Sequence, residues 1–311
     1  MELIRGLHNL RPRHHGCVVA QGAFDGVHRG HQMVLSRLQQ KGRELGLPTA
    51  VICFEPLPRE FFSPGHAPSR LMSFHEKFMA LRDLGIDRVL RIPFNASFSE
   101  MEANDFVRDV FRDGLGAKYV VVGDDQRFGR NRTGDFSLLQ ELGKQYGFEV
   151  ESMDSVNVEG QRASSTRIRE ALEQGDFELA AELLGRPYSL TGRVVVGKQL
   201  GRTLDVPTAN LHLRRIRSPL AGVYAVEIDG VGDKKHVGVA NVGTRPTIGD
   251  LTHAILEVHI LDFSRDIYRR NITVTFRKKL RDERKFESLG ELRQQIHSDI
   301  AEGRRYFGLA N

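Results

Sequence analysis

Through residue 153 the chain alternates short apolar runs with stretches of amphipathic character. The runs at Cys17 to Gln21, Thr49 to Phe54, Arg88 to Ile92, Tyr119 to Val122 and Glu149 to Met153 predict β-strands. Between them apolar positions recur at helical spacing, and Ser73 with Glu76 and Ser99 with Glu102 read as capping boxes. Strand and helix in alternation predict an α/β domain whose doubly wound parallel sheet binds ligands beyond the carboxyl ends of its strands. A helical stretch, Phe177 to Leu184, then leads to Gly185 and Pro187, where the pattern changes. Short strands at Leu190 to Val196, Val223 to Ile228, Val237 to Val242, Ile255 to Leu261 and Ile272 to Phe276, divided by Gly, Pro and Asp turns, predict a small antiparallel β-barrel. A terminal helix follows Ser288 with Glu291. The expected domains are residues 1–185 and 186–311.

At 311 residues each half is long enough for a core of its own. No apolar run reaches membrane-spanning length, and the opening MELIRGLHNLRPRHHG lacks the apolar centre of a signal peptide. The expectation is a cytoplasmic protein without a membrane partner. Cys17 and Cys53 lie in apolar runs, as buried reduced thiols do, and lack metal-ligand spacing. Residues 186 to 311 hold 22 Lys+Arg against 14 Asp+Glu, net +8, while residues 1 to 185 are net −3. A basic half suits nucleic acid or anionic nucleotides alike. Its cations are scattered and not gathered in one tract with aromatics, so nucleic acid ranks lower. Self-association is left open.

The stretch with the most chemistry is GAFDGVHRGH, Gly22 to His31, a strand-to-helix turn. A helix N-terminus there offers free backbone N–H groups, and Gly22, Gly26 and Gly30 let a ligand approach closely. His28 and His31 add ring donors. Taken alone, so short a motif is more often a surface turn. The loop FEPLPREFF, Phe54 to Phe62, is stiffened by Pro56 and Pro58 into an extended connector carrying aromatic faces. VVGDDQRFGRNRTGDF, Val121 to Phe136, has the glycines and charges of a functional loop. SSTRIREAL, Ser164 to Leu172, is first of all an N-cap cluster.

These strings, taken in order, resemble the nucleotidylyltransferase superfamily and its flavin-nucleotide branch. The resemblance implies that His28 and His31 hold ATP phosphates and stabilise charge as the α-phosphorus is attacked. It further implies that Gly22, Phe24, Asp25, Gly26 and Gly30 surround the nucleotide, that Ser164, Ser165 and Thr166 receive its phosphates, and that Arg169 takes the leaving pyrophosphate. Phe54, Pro56, Pro58, Asp125 and Phe128 fall where the family contacts flavin. Gln126 stands where the family usually has Phe.

In the second half, Gly192 to Lys198 spells most of a Walker A loop, but Gln199 replaces the required Ser/Thr and the segment has strand character. That reading is rejected. The longer string GRVVVGKQLGRTLDVPTAN, Gly192 to Asn210, with ANVGTRPT, LEVHILDFSRDIY and LRDERKF after it, resembles riboflavin kinases. The resemblance implies that Thr208 and Asn210 bind Mg²⁺ and ATP phosphate, that Gly197 and Gly201 cover the nucleotide, that Arg281 contacts flavin, and that Glu257 is the catalytic base. By chemistry alone PTAN would be an ordinary turn. Asp205 and Arg269 depart from the family, which commonly has Gly at both positions.

Together the motifs resemble the bifunctional bacterial riboflavin kinase and FMN adenylyltransferase (FAD synthetase) family. The implied chemistry converts riboflavin and ATP to FMN, and FMN and ATP to FAD and pyrophosphate, with Mg²⁺ as cofactor. Two alternatives stay open at this stage. One is a transferase acting on a nicotinate or pantetheine nucleotide, and the other a nucleic-acid-binding β domain on a degenerate transferase.

Overall fold

The computed structural model describes residues 1–197, 206–213, 215, 217–246 and 252–310. These form two compact units, residues 1–68 with 74–164, and residues 69–73 with 165–311. The division falls at Ser164/Ser165, earlier than the 185/186 boundary read from the sequence pattern, so the helices between count with the second unit.

The first unit is built on parallel strands β1 (Glu2–Arg5), β2 (Val18–Gln21), β3 (Thr49–Glu55), β4 (Arg88–Pro93), β5 (Tyr119–Gly123) and β6 (Glu149–Met153), in the spatial order β1-β4-β3-β2-β5-β6. β2 and β5 are buried along nearly their whole length, as strands covered on both faces must be. α1 (Arg29–Leu45) covers one face. Its Gly42 lies so close to the strands that a Cβ would come within 3.1 Å of Thr49 Cγ2 and 3.4 Å of Val18 Cγ2. The other face is closed by an apolar cluster that includes Val19, Ile52, Val120, Phe106, Phe111 and Leu139. The strand order reverses direction between β2 and β5, and in such sheets that is where the ligand crevice opens.

Three details differ from the sequence expectation. β1 was missed; its four residues pair with β4 at the sheet edge. The Ser99–Glu102 capping box does not form. Asn95 caps the short helix α4 (Ala96–Ser99) by accepting from Phe98 N, while Ser99 Oγ donates to Ala96 O. The loop after β3 is not extended throughout, since Pro58 opens the short helix α2 (Pro58–Phe62), the position proline favours.

The second unit contains a closed antiparallel barrel of β9 (Ser189–Val195), β10 (Ala209–His212), β11 (Gly222–Asp229), β12 (His236–Pro246), β13 (Thr252–Ile260) and β14 (Asn271–Arg281), a hairpin β7 (Asn157–Val158) and β8 (Gln161–Arg162) belonging to the first unit. Its sheet order is β10-β13-β12-β11-β14-β9, closed by pairing of β9 with β10. Gly192 to Val195 are barrel strand, which bears out rejection of the Walker A reading; Lys198 and Gln199 lie outside the described residues. PTAN is not a turn, because Ala209 and Asn210 begin β10. Phe177 of the helix Phe177–Leu184 stacks on Phe276 and meets the Tyr224 ring edge-on, which plugs the barrel with aromatic surface. The terminal helix Leu289–Tyr306 begins at Ser288, whose Oγ accepts from Glu291 N; Glu291 reaches back to Glu287 N. Among the described residues no helix is long and apolar enough to cross a membrane.

Candidate active sites

The loop after β2 is wound tightly. Gly26 takes φ 90, but Phe24 (φ 46) and the β-branched Val27 (φ 45) also adopt the left-handed region. For a β-branched residue that conformation is an outlier, and such strain concentrates where function fixes the backbone. Phe24, Asp25 and Val27 are all buried, so Phe24 builds the loop from within: its ring packs under Gly22 and tilts against His31 at 5.1 Å. Gln32 Nε2 donates to the Val27 carbonyl and holds the turn to α1.

His28 is the N-cap of α1 and His31 lies in its first turn. The two rings stack with centroids 3.7 Å apart and planes 24° from parallel. Gly30 makes this possible, since a Cβ there would meet the His28 ring at 3.2 Å. Burial, and after it the neighbouring His28 and Lys77, push the His31 imidazole well below its ordinary pKa. Its Nδ1 is buried and, among the described residues, has no hydrogen-bond partner. Two imidazoles at the positive end of a helix, one of them shifted toward the neutral form by burial, are arranged to receive an anion.

Around this loop the sequence-identified residues are placed unevenly. Phe54 and Phe128 belong to the aromatic core with Phe106, whose ring lies 6.4 Å from Phe54 and 5.7 Å from Phe128. Phe62, which sequence reasoning passed over, is the exposed aromatic there, 65% accessible and edge-on to Phe61 and Phe94. Glu55–Pro56 is a cis peptide. Asp125 is exposed and paired with Arg162, which also holds Asp124. Gln126 N closes a turn onto the Gly123 carbonyl. His28, His31 and Ser164 belong to the first unit; Ser165, Thr166 and Arg169 belong to the second, where Arg169 Nε donates to the Ser69 carbonyl.

In the barrel, Glu257 of β13 stands directly opposite Asn210 of β10 on one side and Asn241 of β12 on the other. Residues paired across neighbouring strands share a face, so the three polar side chains form one row. Ala254, Leu256, Val258 and Ile260 alternate with them and are buried, so Glu257 lies on the face away from that core. His259, two residues on, donates from Nδ1 to the Pro207 carbonyl at 2.9 Å, which fixes the chain immediately before Thr208. A cleft of about 240 Å³ adjoins Thr208, walled by Pro207, Val258, Ile260, Phe263 and Tyr268. Gly201 and Asp205 lie outside the described residues.

Gly197 packs against the Asn210 amide so closely that a Cβ would come within 2.5 Å of its atoms. Gly197→Ala must therefore displace Asn210. The expected result is a rise of roughly tenfold in the apparent KM for ATP in phosphorylation of riboflavin, equivalent to about 1.4 kcal/mol, with FMN adenylylation unchanged. An unchanged KM would count against the nucleotide contact that the resemblance implies for Asn210.

Comparisons with known proteins match the chain over nearly its whole length. A family model described as FAD synthetase matches residues 10–167, and one described as riboflavin kinase matches residues 184–307. A curated protein from Pseudomonas fluorescens, named bifunctional riboflavin kinase/FMN adenylyltransferase, is 49% identical over 304 residues, covering 98% of this chain and 97% of its own. The protein of the same name from Escherichia coli (strain K12) is 48% identical over 310 residues, covering 99% of each chain. The chain belongs to the bifunctional riboflavin kinase/FMN adenylyltransferase family. A crystal structure from Streptococcus pneumoniae, described as a macrolide-efflux protein, superposes with a TM-score of 0.76 at 32% identity, covering 96% of this chain and 97% of that one. Its name differs from both family models, but its likeness extends over the same two units.

Within this family frame one departure acquires a physical reading. Arg269 adopts φ 65, the region where glycine is at ease, beside Tyr268 at the cleft. It is held there because its N–H donates to Val194 O and its carbonyl accepts from Arg193 Nε. Arg269→Gly is expected to raise stability by about 1 kcal/mol, the left-handed penalty less glycine's unfolded-state entropy, seen as a higher Tm. A fall in Tm would mean that the side chain contributes more than its backbone costs. Arg281, implied as a flavin contact, gives its Nε and one terminal nitrogen to the buried Asp299 and the other to the Asp282 carbonyl, pinning the terminal helix to β14. Cys17 and Cys53 are buried free thiols whose pKa values burial pushes up to about 12 and about 11, so neither is a nucleophile.

Proposed function

We propose that the chain makes FAD from riboflavin in two ATP-dependent steps, with the barrel phosphorylating riboflavin and the parallel-sheet unit adenylylating FMN. The observation that carries this division is that each unit holds its own phosphate-handling groups. Stacked imidazoles crown a helix N-terminus in one. Asn210 and Glu257 pair across adjoining strands in the other, with Thr208 just before the first of them.

In the barrel, Glu257 accepts the proton of the ribityl 5′ hydroxyl as its oxygen bonds to the γ-phosphorus of ATP and ADP leaves. Thr208 and Asn210 offer hard oxygen donors. Hard oxygen donors of this kind suit Mg²⁺, which is held by few protein ligands together with substrate phosphate and water. Bound there, Mg²⁺ supplies neutralisation of phosphate charge. In the parallel-sheet unit an FMN phosphate oxygen attacks the α-phosphorus, the bond to the β-phosphate breaks, and pyrophosphate leaves. His28 and His31 donate to the charge that develops, and no protein nucleophile is required. Arg169 keeps its assignment to pyrophosphate on its motif alone. We place the enzyme in the cytoplasm, in keeping with its two buried free thiols, acting on small molecules and not on nucleic acid.

The test is incubation of the protein with riboflavin and MgATP, and separately with FMN and MgATP, followed by chromatographic separation of riboflavin, FMN and FAD. FMN must appear before FAD in the first mixture, and FAD alone in the second. Formation of FAD without FMN, or of neither, would overturn the scheme.

A further inference from the structure

Glu257 and His259, two positions apart on β13, point to the same face of the strand. Glu257 stands directly opposite Asn210. His259 makes a different contact, for its ring Nδ1 lies 2.9 Å from the carbonyl oxygen of Pro207. A carbonyl only accepts, so Nδ1 carries the ring proton and donates.

That contact falls where the strand pairing ends. β10 and β13 are paired from His212–Ile255 to Ala209–Val258, and two residues before Ala209 comes Pro207, which has no N–H with which to carry the ladder on. The His259 side chain takes up the Pro207 carbonyl just beyond the last pair. This carbonyl and the Thr208 N–H belong to one planar peptide unit, so holding the oxygen holds the plane from which Thr208 departs. On its other side Thr208 is joined to Ala209, already paired with Val258. Only the φ and ψ of Thr208 separate the two anchors. Thr208 lines the cleft of about 240 Å³, and His259 is not among the residues that wall it. The bond is exposed and sits at a strand end, so the closed barrel gains little from it. The residue it bears on is Thr208.

We propose that His259 is a positioning residue for the phosphorylation of riboflavin: through Pro207 it sets the direction in which Thr208 presents its hydroxyl to Mg²⁺ and the ATP phosphate. This rests on the reading of the barrel as the kinase. One strand then serves the reaction twice, with Glu257 as base and His259 as the brace of Thr208.

Two substitutions in the full chain separate bracing from bulk. His259→Leu keeps a side chain of similar reach and removes the donor, while His259→Asn keeps an amide N–H near the place of Nδ1. In the leucine variant the KM for MgATP in riboflavin phosphorylation is expected to rise about fivefold, the worth of one net hydrogen bond. The KM for riboflavin and the rate of FMN adenylylation stay parental, and the melting temperature stays within about 3 °C of the parent's. Deuterium exchange at the Thr208 amide, measured without nucleotide, becomes faster. The asparagine variant returns both KM and exchange to near the parental values. In a Thr208→Val background His259→Leu adds little, because residues that act through one another are not additive. A parental KM in the leucine variant would overturn the proposal, as would leucine and asparagine variants that behave alike, or a full additional loss on top of Thr208→Val. A lowered melting temperature with both activities falling together marks a packing role and overturns it too. Exchange separates this proposal from the reading beneath it: a parent that forms no FMN, yet loses Thr208 protection in the leucine variant and regains it with asparagine, sinks the kinase reading alone.

Discussion

Glu257→Gln is expected to stop phosphorylation of riboflavin while conversion of supplied FMN to FAD continues at the parental rate. The amide has the shape of the carboxylate and keeps the cross-strand row with Asn210 and Asn241 filled, so the barrel has no reason to repack. It cannot accept a proton. If Glu257 is the base, kcat for the kinase step falls by about 10²–10⁴, the usual contribution of a positioned acid or base, and the KM for riboflavin moves little. Chromatographic rates from riboflavin and from FMN, measured on one preparation, provide the comparison. A loss below tenfold would reduce Glu257 to a spectator, and loss of both activities in a folded variant would undo the assignment of one step to each unit.

The parts of the molecule written most clearly in the sequence are those where pattern and burial coincide. Thr49 to Glu55 is buried almost throughout, and its run of apolar residues marked the strand to within one position. Glu2 to Arg5 gave no such signal, because an edge strand of four residues buries only Ile4. β10 was hidden by the proline before it, which in isolation argues for a turn; only pairing with β9 and β13, contributed from far along the chain, makes Ala209 to His212 a strand. The Ser99–Glu102 box failed because Asn95, four residues earlier, caps first.

The candidate sites divide the same way. His28, His31, Thr208 and Glu257 stand in motifs short enough to be read locally. Asn241 and His259 owe their places to register between strands, so neither carries a mark in its own neighbourhood of sequence. Phe62 was passed over for the opposite reason. Phe54 and Phe128 have stronger motif positions, yet both point into the core, and it is the helix opened by Pro58 that turns Phe62 outward.

The complementary experiment is His31→Ala, for which FMN is expected to accumulate from riboflavin while FAD formation falls by roughly two to three orders of magnitude, the usual loss for one preorganised donor to a developing oxyanion. The ring has two functions that the variant removes together. In the proposed reaction it would donate toward phosphate, and it packs between His28 and Phe24, so His28 also loses the surface that holds it in place. His31→Gln separates them, because the glutamine amide can present a donor near the position of Nε2 without restoring the stack. If donation is the larger part, the glutamine variant recovers much of the rate at unchanged KM for FMN. If the stack is, both variants are equally slow and His28→Ala adds little to either, since residues acting as one unit are not additive. Adenylylation at the parental rate in His31→Ala would contradict both accounts and leave the buried, neutral imidazole as a core residue alone.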